Sequence, residues 1–121
     1  MHEYFEENQK TFSSIDKLRN QVQRRQLRWG PCHTETFWQE NSIHFDKGDN
    51  IALITIIVKE CLTSNDDRVK AVACYDLGEF SRFFPRGKQF LEGLSVRIKM
   101  VELMQDPRVS AEVKKEAITC Y

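Results

Sequence analysis

At 121 residues the chain is long enough for one hydrophobic core and too short for two good ones. Its 18 Lys and Arg residues balance 18 Asp and Glu, so no global field draws it toward nucleic acid or an anionic membrane. No apolar run approaches the ~20 residues of a membrane span, the N-terminus carries charges where a secretion signal is apolar, and four scattered cysteines (Cys32, Cys61, Cys74, Cys120) lack disulfide-framework or C-x-x-C spacing. A reduced, cytosolic setting is expected.

In chain order, residues 4 to 27 read as a long charged helix with a thin apolar seam of Phe5, Phe12, Ile15, Leu18, Val22 and Leu27. "WGP" (29 to 31) ends it, since proline cannot continue a helix and biases the preceding residue away from the helical region. Thr34 or Thr36 is placed to cap a short helix through "ETFWQENSIHF", with Phe37, Trp38 and Phe45 buried. After the loop "DKGDN", Asp49 or Asn50 suits the N-cap of "IALITIIVKECL". That segment is β-branched enough for a strand. Its length, its cap and its helical neighbours favour a helix instead, buried on nearly all sides.

Residues 66 to 84 form a better-marked helix, with Val69, Ala73, Leu77, Phe80 and Phe84 on one face and the small residues Ala71, Cys74 and Gly78 on the next. Glycine inside a helix costs ~1 kcal/mol relative to alanine. Close approach of a neighbouring helix is the expected compensation. Pro85 ends the helix, and a short helix (88 to 92), a stop at Gly93, a helix over 94 to 105 and a last helix from Pro107 follow.

The strongest organising signal is an internal repeat. "DDRV" (66 to 69) returns forty residues later as "DPRV" (106 to 109), and Val69, Ala73, Leu77 and Phe80 are matched in register by Val109, Val113, Ala117 and Cys120. Upstream, "VKECL" (58 to 62) resembles "MVELM" (100 to 104). A period near forty with helix, acidic turn and helix is that of HEAT and armadillo arrays. The fold class expected is therefore all-α, an armadillo/HEAT-like right-handed α-solenoid fragment. Residues 1–28 are its N-terminal charged helix or linker, and residues 29–121 are an armadillo-like domain of about two repeats. The apolar stripe is still running at Tyr121.

The stretch "DLGEFSRFFPRGKQFLEGL" (76 to 94) sets Gly87-Lys88 among arginines and phenylalanines. A phosphate-binding P-loop needs G-x-x-x-x-G-K-[ST] between a strand and a helix. Here Gly78 is nine residues before Gly87, Gln89 replaces the hydroxyl, and the preceding element is a helix, so the stretch reads as a helix corner. Arg82, Arg86 and Lys88 make it a candidate basic contact for a partner's carboxylates, the plainer reading being a solvated corner. Cys32-His33 suggests a thiol nucleophile, but His44, eleven positions beyond His33, is no assured activating base. Cys32, His33 and His44 also lack the paired spacings of a structural zinc site. Cys61, Cys74 and Cys120 fall on core-facing positions, and Asp66, Asp67 and Asp106 suit helix caps and turns. Asp76 and Glu79 flank Gly78 as core-edge hydrogen-bonding groups. No catalytic residue, metal ligand or cofactor is assigned.

"LRWGPCHTETFWQEN" and "NDDRVKAVACYDLGEFSRFFPRGKQFLEGL" together resemble the C-terminal domain of the H subunit of the vacuolar-type proton-pumping ATPase (V-ATPase). The resemblance rests on Leu27, Trp29 and Pro31, on Phe37, Trp38, Glu40 and Asn41, on the helix 71 to 80, and on the corner 85 to 88. It spans about residues 25 to 121. Gly30, Cys32 and the β-branched "IALITIIVKECL" depart from it.

The resemblance implies a larger N-terminal helical-repeat domain before this one and a last helix that continues for another turn or more past Tyr121, so that the chain reads as an excised or partial C-terminal domain with its last helix truncated. It implies a non-catalytic regulatory subunit in the cytoplasm, peripheral on the vacuolar or endomembrane surface through the pump. Such a domain restrains ATP hydrolysis in the detached cytosolic sector by bridging the static catalytic head and the central rotor. In the assembled pump it lies against the cytosolic part of the membrane stator subunit. Partners implied are those components and the peripheral stalk, without nucleic acid or membrane insertion. Two rivals stand beside it. "KLRNQVQRRQLR" (17 to 28) carries five basic residues, as a nucleic-acid-binding helix would, although zero net charge and the expected burial of Phe80 and Phe84 argue against that. A generic armadillo scaffold with other partners would share the repeat but not the quoted runs.

Overall fold

The computed structural model describes residues 14–30, 32–46, 48 and 50–120. Phe5, Phe12, Pro31 and Asp49 lie outside them, as does the side chain of Cys120. Every regular element among the described residues is helical: α1 (Ser14–Arg24), α2 (Glu35–Asn41), a 3-10 turn (Ser42–Asp46), α3 (Asn50–Ile56) continued by a π segment (Ile57–Cys61), α4 (Asp67–Phe83), α5 (Gly87–Gly93), α6 (Val96–Gln105) and α7 (Ala111–Cys120).

Helix α1 buries Ile15, Leu18 and Val22, spaced at i, i+3 and i+7, in the same core as the rest of the chain. It ends at Arg24, short of the residue 27 expected from the seam. Arg25 takes the left-handed conformation (φ 55°), and the Arg25 and Gln26 amides donate back to the Val22 and Gln21 carbonyls, each at 3.0 Å. This pair of bonds closes the helix end well before Pro31 can act. Leu27 still reaches the core, from the loop.

Helix α2 starts where capping chemistry predicts, Thr34 Oγ1 accepting the Phe37 amide at 3.1 Å. Trp38 and Phe45 stack with centroids 5.2 Å apart, and both meet Phe80 edge-on, at 6.2 and 5.9 Å. Among the described residues these three are the largest fully buried side chains.

"IALITIIVKECL" is a helix, but it is buried along one side only. Leu53, Ile54, Ile57, Val58, Cys61 and Leu62 face the core, while Ala52, Lys59 and Glu60 are exposed and Ile51 and Ile56 half-buried. The expected all-round burial is therefore corrected: α1 and α4 cover one flank, and the other faces solvent. Asn50 is the first helical residue. Its side-chain amide donates to the His44 carbonyl at 3.0 Å, tying the helix start to the preceding turn.

Helix α4 begins at the aspartate cap, Asp66 Oδ1 accepting the Arg68 amide at 2.8 Å. It ends at Phe83, with Phe84 extended (ψ 126°) as a residue before proline prefers. The second copy of the motif departs from expectation, because α7 starts at Ala111 rather than Pro107. Asp106 Oδ1 captures the Arg108 amide at 2.9 Å and the Asp106 carbonyl accepts from Val109 at 3.2 Å, closing 106–109 into a turn. Proline suits the second position of such a turn. Ser110 then caps α7 through Val113 and Lys114.

The buried stripe survives this shift: Val69, Ala73 and Leu77 on one side, Val109, Val113 and Ala117 on the other. The Ser110 amide donates to Asp67 Oδ2 at 3.0 Å, joining the two helix starts. Further on, Glu116 and Thr119 lie across a cleft from Gly78, Glu79 and Arg82. Helices α4 and α7 thus run side by side in the same direction.

Candidate interaction surface

The corner between α4 and α5 is built by close approach. A Cβ on Gly87 would sit 2.7 Å from the Phe80 carbonyl oxygen and 3.1 Å from Ser81 Cα, so only glycine lets α5 begin against the end of α4. Arg86 before it adopts φ 68° and is exposed. The corner is thus packed onto the backbone of the preceding helix, which leaves no phosphate-cradling loop there.

The three cations predicted at this corner fall in two places. Arg82, with 58% of its side chain exposed, reaches Glu35 at 3.4 Å and Glu79 at 3.5 Å, and its guanidinium lies 4.9 Å from the Phe83 ring centroid. It borders a polar cleft together with Lys88, Tyr75 and Glu116. Burial pushes the Glu116 carboxyl above its ordinary range. Burial, with Glu79 second, pushes the Tyr75 hydroxyl up to about 12. Arg86 borders a different feature, an apolar groove of about 600 Å³ lined by Ile43, Ile51, Phe84 and Phe90, with Asp46 at another edge. Ile43 is 61% exposed there. Among the described residues neither Arg86 nor Lys88 forms an ion pair.

The chemistry suggested by Cys32-His33 is redirected. Asp76 is completely buried, where a core-edge position was expected, and it organises a polar network. Its Oδ2 lies 2.7 Å from His33 Nδ1, and its Oδ1 accepts Trp38 Nε1–H at 3.1 Å. His33 Nε2 lies 2.7 Å from Gln21 Oε1, the oxygen that also accepts the Arg28 amide. That second bond fixes Gln21 Oε1 as an acceptor, so Nε2 carries a proton and donates it. One further proton is held between Nδ1 and Asp76. Burial pushes the Asp76 carboxyl up, while the His33 and Trp38 donors act the other way.

The network joins α1, the 32–34 loop, α2 and α4. It occupies both ring nitrogens of His33, so His33 does not activate Cys32. Burial raises the Cys32 thiol as well, opposite to what a nucleophile needs. Among the described residues no group of three or more His, Cys, Asp and Glu side chains is arranged to hold a metal ion. The aspartates read as caps and turns act as such at Asp66 and Asp106, and Asp67 bridges to Ser110. Sequence reading missed the His33–Asp76 pair, which joins residues 43 apart. It also missed the apolar groove, whose only sequence signal was the phenylalanine-rich flank of the corner.

Fold and surface together define an all-helical block that presents basic side chains and an apolar groove to solvent. The model of the family described as the V-ATPase H subunit matches residues 11–121. Three relatives are similar over most of the chain. A probable V-type proton ATPase H subunit of Oryza sativa subsp. japonica is 34% identical over 115 residues, covering 94% of this chain and 25% of the relative. A probable V-type proton ATPase H subunit of Caenorhabditis elegans, the one numbered 1, is 37% identical over 100 residues, covering 80% of this chain and 22% of the relative. The V-type proton ATPase H subunit of Drosophila melanogaster is 36% identical over 103 residues, covering 83% and 22%. The chain belongs to the V-ATPase H-subunit family. It spans about a quarter of the length of these curated relatives. Among the described residues no helix is long and apolar enough to cross a membrane.

Proposed function

We propose that this chain is a non-catalytic regulatory block of the V-type proton ATPase, acting in the cytoplasm at the vacuolar or endomembrane surface. It restrains ATP hydrolysis and rotation through protein–protein contacts. The observation that carries the reading is the family match over residues 11–121. The mechanism is mechanical: a rigid helical block bridges the static catalytic head and the central rotor of the detached cytosolic sector. In the assembled pump it rests on the cytosolic part of the membrane stator subunit, near the peripheral stalk. Side-by-side α4 and α7, with the buried stripes Val69, Ala73, Leu77 and Val109, Val113, Ala117 in register, support an armadillo-like, right-handed arrangement of about two repeats over 29–121.

Arg86 and Lys88 are the proposed partner contacts. Both are exposed and without ion pairs among the described residues, whereas Arg82 is held by Glu35 and Glu79 and contributes less. The test is co-sedimentation of the fragment with detached cytosolic sectors that lack their own H subunit. The double charge reversal Arg86→Glu, Lys88→Glu is expected to weaken association about tenfold, two surface pairs of up to ~1 kcal/mol each. Unchanged binding by the reversed variant removes the corner from the interface. A helical fragment that does not bind favours a generic armadillo scaffold with other partners.

A further inference from the structure

The apolar groove beside the corner is complementary to itself. One of its edges is the 3-10 turn Ser42–Asp46, where Ile43 and Asp46 stand three residues apart and so share a face. Both are exposed, Ile43 by 61%. That edge offers an apolar knob and, one turn on, an anion. Another edge is the corner, where half-buried Phe84 and exposed Pro85 lead to exposed Arg86. It offers an apolar wall and, next to it, a cation.

Neither charge is neutralised within the chain. Asp46 and Arg86 line the same groove, yet among the described residues neither forms an ion pair, with the other or with any third group. Both are held on packed backbone: Asp46 follows fully buried Phe45, and Arg86 precedes Gly87, which lies against the Phe80 carbonyl. The apolar wall is preformed as well. Phe84 stacks on buried Phe80 with centroids 4.8 Å apart, and Phe90 meets the same ring edge-on at 6.2 Å. A surface built this way docks with little rearrangement.

A knob beside an anion on one edge and a hollow beside a cation on another fit a second copy of the same surface. A two-fold rotation makes each contact twice, so residue i meets j while j meets i. A partner of one charge sign would match one edge and be repelled at the other. We propose that the groove is a self-association surface, in which two copies of this chain pack turn against corner. Ile43 of each copy seats against Phe84 and Phe90 of the other, and Asp46 of each pairs with Arg86 of the other. The groove holds about 600 Å³. A contact centred on it falls short of the ~1,600 Å² of a standard stable interface, so the dimer is weak and forms as concentration rises. It covers Arg86, so on the regulatory reading above, on which this consequence rests, the dimer withholds the corner from the pump.

The test is analytical ultracentrifugation of the full 121-residue chain at low salt, over ~10 µM to ~1 mM, the range a weak interface requires. A reversible monomer–dimer equilibrium is expected. Arg86→Asp and Asp46→Arg each set like charges against one another at both contacts and weaken the dimer about tenfold. Mixed in equal amounts, the two variants restore opposite charges at both contacts, and association returns to about the parental level. Ile43→Asp weakens the dimer without any such repair by mixing. All three positions are exposed, so circular dichroism is expected to show unchanged helix. A chain that stays monomeric throughout overturns the proposal. So does a dimer indifferent to the reversals, or a loss that mixing the two variants does not repair. No pump component enters the experiment, so its failure is separable from failure of the regulatory reading.

Discussion

Replacing Asp76 tests the buried network most sharply. Asp76→Ala leaves Trp38 Nε1–H and the facing His33 nitrogen without partners inside the core. Each stranded group costs ~1–3 kcal/mol, and breaking a buried pair from one side typically costs ~3–5 kcal/mol. A domain of this size has ~5–15 kcal/mol in total, so the variant loses a large share of its stability. Asp76→Asn behaves differently. Its amide oxygen accepts Trp38 Nε1–H, its NH2 donates to His33 Nδ1, and His33 keeps the Nε2 proton for Gln21. That substitution is expected to cost ~1 kcal/mol or less. Urea unfolding at pH 7, followed by helical ellipticity and tryptophan fluorescence, measures both. With a slope of ~1–3 kcal/mol per molar, the alanine midpoint falls by ~2 M while the asparagine midpoint barely moves. An alanine variant within ~1 kcal/mol of the parent, or an asparagine variant as damaged as alanine, refutes the reasoning.

Gly87→Ala drives a Cβ onto the Phe80 carbonyl and is expected to destabilise by ~1–3 kcal/mol, lowering the thermal midpoint by several degrees. Thr34→Ala removes the cap of α2 and costs ~1 kcal/mol in the same melt, whereas Thr34→Ser leaves it nearly unchanged. Stability also falls on the alkaline side. Burial raises the Cys61 thiol from 9.0 to about 12, so the folded chain keeps a proton that the unfolded chain has lost. A group raised in this way contributes fully below pH 9 and loses its contribution as pH climbs toward 12. At pH 10.5 the loss from Cys61 is ~2 kcal/mol, and Cys61→Ala flattens the profile between pH 9 and 10.5.

What the sequence disclosed and what it hid divide along contact range. Thr34 and Asp66 were legible as caps because a cap needs only residues two or three positions away, and both bonds form. Phe37, Trp38, Phe45 and Phe80 were legible as core from periodicity. Pro107 misled, because proline suits both the first turn of a helix and the second position of a turn. Asp106 decides between them by binding the Arg108 amide, and Ser110 then supplies the true cap. The end of α1 at Arg25 was hidden because the signal there is a non-glycine residue with positive φ, which composition does not advertise.

At the corner, the basic residues were legible but their company was not. Glu35 claims Arg82 from 47 positions upstream, which no local pattern encodes. Asp76 looked like a helix-face carboxylate, and its burial follows from His33 and Trp38 arriving from distant segments. The π segment ending at Cys61 was also invisible, since the Leu62 amide reaches Ile57 at 3.0 Å without any marking residue.

In the proposed function, these 121 residues restrain a proton pump's ATP hydrolysis by docking. The direct measurement adds the purified fragment to detached cytosolic sectors lacking their own H subunit and follows hydrolysis and co-sedimentation together. The account predicts saturable binding with a rate that falls in proportion to occupancy. A fragment that is helical by circular dichroism, and that neither binds nor slows hydrolysis at high concentration, would contradict it.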